Sequence, residues 1–102
     1  MIIITTQCFA PKIGGIESLM TGMAEAMAKR GIEVLVLADG KTHEADHKQK
    51  YKIKRFTGWK PLRRLAKAKY LEKICNSKNV MAIYADSWKS IEYLKKYKKK
   101  IL

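Results

Sequence analysis

The sequence has few cysteines, no long apolar run and, in its second half, very little negative charge. Cys8 and Cys75 form neither a CxxC pair nor the framework of a disulfide-rich secreted domain. No apolar run reaches the roughly 18 residues that a membrane span needs, and the amino terminus lacks the basic and apolar regions of a signal peptide. We therefore expect a cytoplasmic protein with reduced thiols.

Acidic residues are confined largely to the first half of the chain. Residues 1–50 carry six basic and six acidic residues, whereas residues 51–102 carry sixteen lysines and arginines against three acids. The net charge of +13 therefore arises in the second half. This asymmetry indicates a polyanionic partner, such as lipid headgroups, nucleic acid or a phosphorylated substrate, or else a solvated lysine-rich surface. Arg63, Arg64 and Lys67, with Trp59 and Tyr70 nearby, are the candidate basic surface.

Two continuously apolar strands flank an amphipathic helix near the amino terminus. Ile2–Thr6 and Val34–Ala38 lack the alternation of half-buried strands, which is typical of strands buried on both faces. Between them, apolar residues recur at helical spacing over Ile16–Arg30. Strand, helix and strand predict a βαβ unit with parallel strands and a right-handed crossover.

The rest of the chain continues this alternation. The predicted elements are a loop over 39–50, a strand over 51–56, a helix over 62–76, a strand over 80–84, a helix over 88–99 packed through Trp88, Ile91 and Leu94, and the start of a fifth strand at Ile101. We predict one incomplete Rossmann-like α/β domain, an open parallel sheet of about four strands in the order 3-2-1-4 with three helices. Its open edge would be covered by further chain or by self-association.

Two adjacent glycines join the first strand to the first helix. In doubly wound sheets, ligands bind at the carboxyl ends of the strands, and phosphates favour helix amino termini. The glycine loop, defined as Gly14, Gly15, Ile16 and Glu17, would let a phosphate approach its main-chain amides, with Lys12 as a neighbouring charge. The alternative is a loop that needs positive φ at both glycines and binds nothing.

The stretch FAPKIGGIESLMTGMAEAMAKRGIEVLVLADG resembles the amino-terminal segment of GT-B glycosyltransferases of the family 4 (group 1) type. There, a strand leads through an aromatic-x-Pro and a GG loop into the first helix, followed by (A)LAxRGHEVxVLT. The matching residues are Phe9, Pro11, Gly14, Gly15, Ile16, Glu17, Ala28, Arg30, Gly31, Glu33, Val34, Val36 and Leu37. Further along, VMAIYADSWKS more weakly resembles DVVHAHDWLS, with Trp88 at the tryptophan.

This resemblance implies an enzyme that moves a sugar from a nucleotide-sugar donor to a sugar or lipid-linked acceptor. It places the glycine loop and Lys12 near the donor diphosphate, and Asp86, Ser87 and Trp88 on the acceptor side. We expect no metal or other cofactor, because the nucleotide sugar is a substrate. A lipid-linked acceptor would place the protein peripherally at the inner face of an anionic membrane.

The sequence also departs from the family pattern. The two histidines of HAHD correspond to Tyr84 and Asp86, and a histidine of the fifth strand would lie past Leu102. The carboxyl-terminal donor-binding domain is absent from these residues. We therefore expect an acceptor-side portion of a transferase that is inactive alone.

Three other functions fit parts of the sequence. His43-Glu44-Ala45-Asp46-His47 spells the zinc-protease signature HExxH, but it lies in a polar, lysine-rich loop. Asp39 stands where a nicotinamide-binding domain has its ribose-binding acid, but GxGxxG is incomplete. A small basic α/β module that binds anionic membrane or nucleic acid is the main alternative, and nucleic acid is the less favoured partner because no RNA- or DNA-binding motif is present.

Overall fold

A four-stranded parallel sheet with helices on both faces forms the structure, a computed structural model that describes residues 1–7, 9 and 14–102. The elements are β1 (Ile2–Thr6), α1 (Gly15–Lys29), β2 (Val34–Asp39), β3 (Lys52–Phe56), α2 (Lys60–Ser77) and β4 (Ala82–Ala85). The strand order β3-β2-β1-β4 and the parallel pairing confirm the predicted incomplete Rossmann-like sheet.

The two central strands separate two apolar cores. β1 is buried along its whole length, and β2 is buried from Val34 to Ala38, which explains their uninterrupted apolar sequences. Ile4, Val36 and Ala38 pack with Met20 and Ala24 of α1 on one face. The opposite face packs against α2 and the segment after β4 through Ile3, Leu35, Leu37, Leu71, Val80, Ile83 and Leu94. The two crossovers therefore bring the first turns of both helices to the carboxyl edge of the sheet.

The polar connection between β2 and β3 is held in place by a buried ion pair. Arg55 donates from Nε to Asp46 Oδ2 and from Nη2 to Asp46 Oδ1, both at 2.9 Å. The Arg55 hydrogen bond lowers the pKa of Asp46, and the backbone amide of His43 adds to the effect. Phe9 and Tyr51 pack edge to face beneath this connection. Burial, reinforced by nearby Glu25, raises the pKa of Tyr51 to about 12.

The predicted helix over residues 88–99 is wrong, and the described chain has two α-helices instead of three. Short 3₁₀ turns at Trp88–Ser90 and Lys98–Lys100 replace it. The amides of Lys95 and Lys96 donate to the Glu72 carboxylate at 2.9 and 3.0 Å, so they are not paired within a helix. Tyr97 adopts a left-handed φ of 66°, and the surrounding lysines repel one another at helical spacing.

The open edge of β4 is paired at one position. Ile101 forms an isolated parallel bridge with Ile83, and the Leu102 amide donates to the Ile83 carbonyl at 2.9 Å. This is the position at which the sequence predicts the start of a fifth strand. The apolar Ile101 thereby lies against the core that β4 shares with α2.

Candidate functional site

The first turn of α1 begins beyond the carboxyl end of β1. Gly14 is extended (φ 172°, ψ 178°) and Gly15 is helical, so neither glycine occupies the left-handed region. The alternative that both glycines serve a positive φ is therefore wrong. A Cβ on Gly14 would clash with the Glu17 carboxylate, whereas a Cβ on Gly15 would meet nothing within 4 Å. Because that carboxylate is the end of a flexible side chain, it could move aside, so the contact does not by itself require glycine at position 14.

The Glu17 carboxylate brings a negative charge to the start of α1. It lies over Gly14 in the first helical turn, where the positive end of the helix dipole favours an acid. A phosphate at this turn would therefore meet the negative charge of Glu17 or displace its side chain. Ile16 is exposed beside it. Lys12, predicted as a neighbouring charge, lies outside the described residues.

The strand order reverses between β1 and β4, and Asp86 ties these two strands together. Its Oδ2 accepts hydrogen bonds from the Gln7 amide at 2.9 Å and the Thr6 hydroxyl at 3.1 Å. Its Oδ1 accepts from the Ser90 hydroxyl. Asp86 therefore joins the carboxyl ends of both strands to the following turn. Ser87 is half-buried there and makes no side-chain cap.

Trp88 lies on the surface next to this reversal point. Its side chain is 63% exposed, so the prediction that it packs inward is wrong. Ile91 and Leu94 carry the packing of this segment instead. The prediction assumed that Trp88 lies on the same face of a helix as Ile91 and Leu94, but this segment is not a helix. The Trp88 ring therefore remains exposed at the carboxyl edge.

A cleft on the α2 side of the carboxyl edge gathers positive charge. This basic cleft, of about 250 Å³, is lined by the cations Lys60, Arg63, Arg64 and Lys89, together with Gln7, Asp39 and Gly40. The first five residues of α2 supply three of the cations, and its first turn contains no acid. The turn after β4 supplies Lys89. The basic surface predicted from Arg63 and Arg64 is thus part of a concave site.

The third residue of the predicted basic surface, Lys67, is not at the surface. It is only 2% exposed, and its Nζ lies 2.6 Å from Asp39 Oδ1 and 3.0 Å from the Thr6 carbonyl oxygen. Arg63 Nε approaches the other oxygen of Asp39 at 3.2 Å. Lys67 therefore fastens α2 to the ends of β1 and β2. Asp39, engaged by two cations, is not a free acceptor for a nicotinamide ribose.

Sequence reasoning missed Lys60 and Lys89, and a repeated dipeptide could have found them. Trp59-Lys60 follows β3, and Trp88-Lys89 follows β4, so each pair lies beyond the carboxyl end of a strand. Parallel strands bring their carboxyl ends to one edge, which places the two lysines in the same cleft.

A second cleft opens on the other side of the β2 terminus. It has a volume of about 180 Å³, and Phe9, His43 and Arg55 line it with residues shared with the basic cleft. His43 Nδ1 accepts a hydrogen bond from the Ala45 amide, and Glu44–Lys48 is a 3₁₀ turn instead of the helix that HExxH chemistry requires.

Within the described ranges, no three His, Cys, Asp or Glu side chains are grouped so that they could hold a metal. The described cysteine, Cys75, is a free thiol whose pKa is raised by burial.

Comparisons of the chain with protein-family models, with curated proteins and with solved structures find no match. Across the part of the chain that the structure describes, neither α-helix combines the length and apolar character needed to cross a bilayer.

Proposed function

We propose that this chain is the amino-terminal, acceptor-side portion of a glycosyltransferase that moves a sugar from a nucleotide-sugar donor to an acceptor. The observation that carries the proposal is the position of Gly15 in the first turn of α1, at the carboxyl edge of a Rossmann-like sheet. A Cβ on Gly15 would meet no atom within 4 Å, so a ligand has room to approach the main chain there. The first turn of a helix at this edge offers free amides to a phosphate.

The surrounding geometry supports a ligand at this edge. Open parallel sheets bind ligands beyond the carboxyl ends of their strands, and two clefts border that edge here. The resemblance over Phe9–Gly40 supplies the reaction class, and the proposal assigns no catalytic residue to this chain. Asp86, Ser87 and Trp88 are proposed to border the acceptor, with Asp86 acting through the strand ends that it holds together.

Gly15→Ala tests the proposal, with Gly22→Ala as its matched control. Both glycines lie in α1, and neither substitution meets an atom within 4 Å, so both variants should fold with equal or greater stability. Isothermal titration with uridine and guanosine diphosphate sugars should show Gly15→Ala weakening binding by about tenfold, equivalent to about 1.4 kcal/mol. Gly22→Ala should leave the affinity unchanged.

Equal affinity in both variants, or no binding of either donor by the parent chain, would contradict the proposal. The main alternative, a small module for anionic membranes or nucleic acid, predicts affinity for such polyanions without any effect of Gly15→Ala. The same pair of variants therefore separates the two functions.

A further inference from the structure

The charges around the basic cleft are not balanced by the protein. Counting the buried Lys67, five cations lie around three carboxylates, those of Asp39, Asp86 and Glu92. Asp39 pairs with Arg63 and Lys67, Glu92 pairs with Arg64 Nη1 at 2.9 Å, and Asp86 accepts from the Gln7 amide at 2.9 Å. Two positive charges remain in excess. Lys60 and Lys89 have no carboxylate within ion-pair distance among the residues described.

Several of these cations also lie near the start of a helix, where the helix dipole disfavours positive charge. The first five residues of α2 include Lys60, Arg63 and Arg64, near the positive end of the helix dipole, and its first turn has no acid, whereas the first turn of α1 carries Glu17. The Nε of Arg64 is shielded from solvent and donates to no acceptor in the described structure. An anion in the cleft would offset the cations at the start of α2.

The size of the cleft limits the ligand that it can hold. At about 250 Å³ it falls below the range of about 300–1,000 Å³ typical of sites that enclose a drug-sized molecule. It therefore suits one charged group and not a whole nucleotide sugar. Trp59 and Trp88, which are 72% and 63% exposed and adjacent to Lys60 and Lys89, offer apolar surfaces to the remainder of the ligand.

The geometry points to a phosphomonoester site: the basic cleft binds the phosphoryl group of the acceptor. The guanidinium group of an arginine can donate two hydrogen bonds to two oxygens of one phosphate. A phosphate dianion also balances the excess of positive charge better than a single carboxylate does. The assignment to the acceptor rests on the proposed function, whereas the phosphate site itself does not. The phosphoryl group belongs either to a soluble sugar phosphate or to a lipid headgroup.

The test compares two double variants of equal charge change. Lys60→Gln/Lys89→Gln removes the two cleft cations without an ion-pair partner, and Lys98→Gln/Lys99→Gln removes two exposed lysines outside the cleft. The probes are glycerol 3-phosphate, followed by titration calorimetry, and phosphatidylcholine vesicles with or without phosphatidic acid, followed by co-sedimentation. We expect the cleft variant to bind at least about tenfold more weakly than the parent chain, and the control variant to bind equally well.

The probes separate the sources of the phosphoryl group. Binding of glycerol 3-phosphate alone indicates a soluble phosphorylated ligand, whereas binding only of vesicles with phosphatidic acid indicates a lipid headgroup. Equal losses in both variants would overturn the proposal, because they indicate a diffuse effect of net charge. So would binding of a single-stranded RNA oligonucleotide without binding of either phosphomonoester. Phosphomonoester binding without any nucleotide-sugar binding would refute the proposed transferase function but support the phosphate site in the basic cleft.

Discussion

Replacement of Lys67 by methionine tests whether α2 is fastened to the sheet as the structure indicates. The Lys67 ammonium is enclosed between the carboxyl ends of two strands, 2.6 Å from Asp39 Oδ1 and 3.0 Å from the Thr6 carbonyl oxygen. Methionine keeps a flexible apolar stem of similar length but removes the charge and both contacts. The variant therefore isolates the polar attachment from the packing of the stem.

The expected loss follows from what remains around Asp39. Removing one member of a buried ion pair typically costs about 3–5 kcal/mol, because the other charge stays buried. Here Arg63 still approaches Asp39 at 3.2 Å, and the Asp39 side chain is 11% exposed, so we expect the lower end, about 3 kcal/mol. Asp39→Asn should cost more, about 4 kcal/mol, because it leaves the buried ammonium of Lys67 without a negative charge beside it.

Urea unfolding followed by far-ultraviolet circular dichroism measures both losses. Lys69→Met, an exposed change on the same helix, is the control and should shift the unfolding free energy by less than about 0.5 kcal/mol. Lys67→Met should also lower the thermal midpoint by on the order of 10 °C. If Lys67→Met matches Lys69→Met, or if Asp39→Asn is the milder change, the attachment inferred from these distances is wrong.

Two further variants test the packing around the sheet. Asp46→Asn should lower the unfolding free energy at neutral pH by about 2–4 kcal/mol, because it removes one member of a buried ion pair. Since folding lowers the pKa of Asp46, its stabilising contribution is present above the unfolded pKa near 3.9 and is lost as the pH falls through the folded pKa. Urea titrations of the parent chain and the variant should therefore give the same stability in acid. Leu94→Ala, at a side chain that is 2% exposed, should lower the unfolding free energy by about 2–5 kcal/mol, whereas Tyr93→Ala, at the half-exposed neighbour, should lower it only slightly. Equal losses of unfolding free energy would contradict the packing described for this irregular segment.

The sheet was predictable because its physical requirements appear in consecutive residues. Burial on both faces favours β-branched and apolar residues without alternation, as in Ile2–Thr6 and Val34–Ala38. The helical spacing between these two strands then predicts a parallel βαβ connection. The strand order follows once two βα units must cover opposite faces. These signals are local, so one sequence is enough to find them.

The features that differ from the sequence predictions depend on contacts between distant parts of the chain. Glu72 draws the amides of Lys95 and Lys96 away from a helix, although the local spacing of apolar residues favours one. Lys67 has the same chemistry as its exposed neighbours, and only the position of Asp39, 28 residues earlier in the chain, makes it a buried partner. Periodicity cannot show such pairings.

The clefts at the carboxyl edge were not predictable in composition. The rule that ligands bind at carboxyl edges directs attention to this edge, yet it does not say that Glu17 brings a carboxylate to the start of α1. Lys60 and Lys89 come together only because the segments that follow the two outer strands, β3 and β4, lie at the same edge of the sheet. The charge of the basic cleft is therefore a property of the fold, assembled from residues that are ordinary in sequence.

A nuclear magnetic resonance titration of the isotope-labelled chain with a nucleotide sugar and with glycerol 3-phosphate tests the central claim most directly. If ligands bind at the carboxyl edge, the nucleotide sugar should shift the amides of Gly15 and Ile16, and glycerol 3-phosphate should shift those of Lys60 and Lys89. Shifts confined to the opposite edge of the sheet, or no shifts with either ligand, would contradict the account.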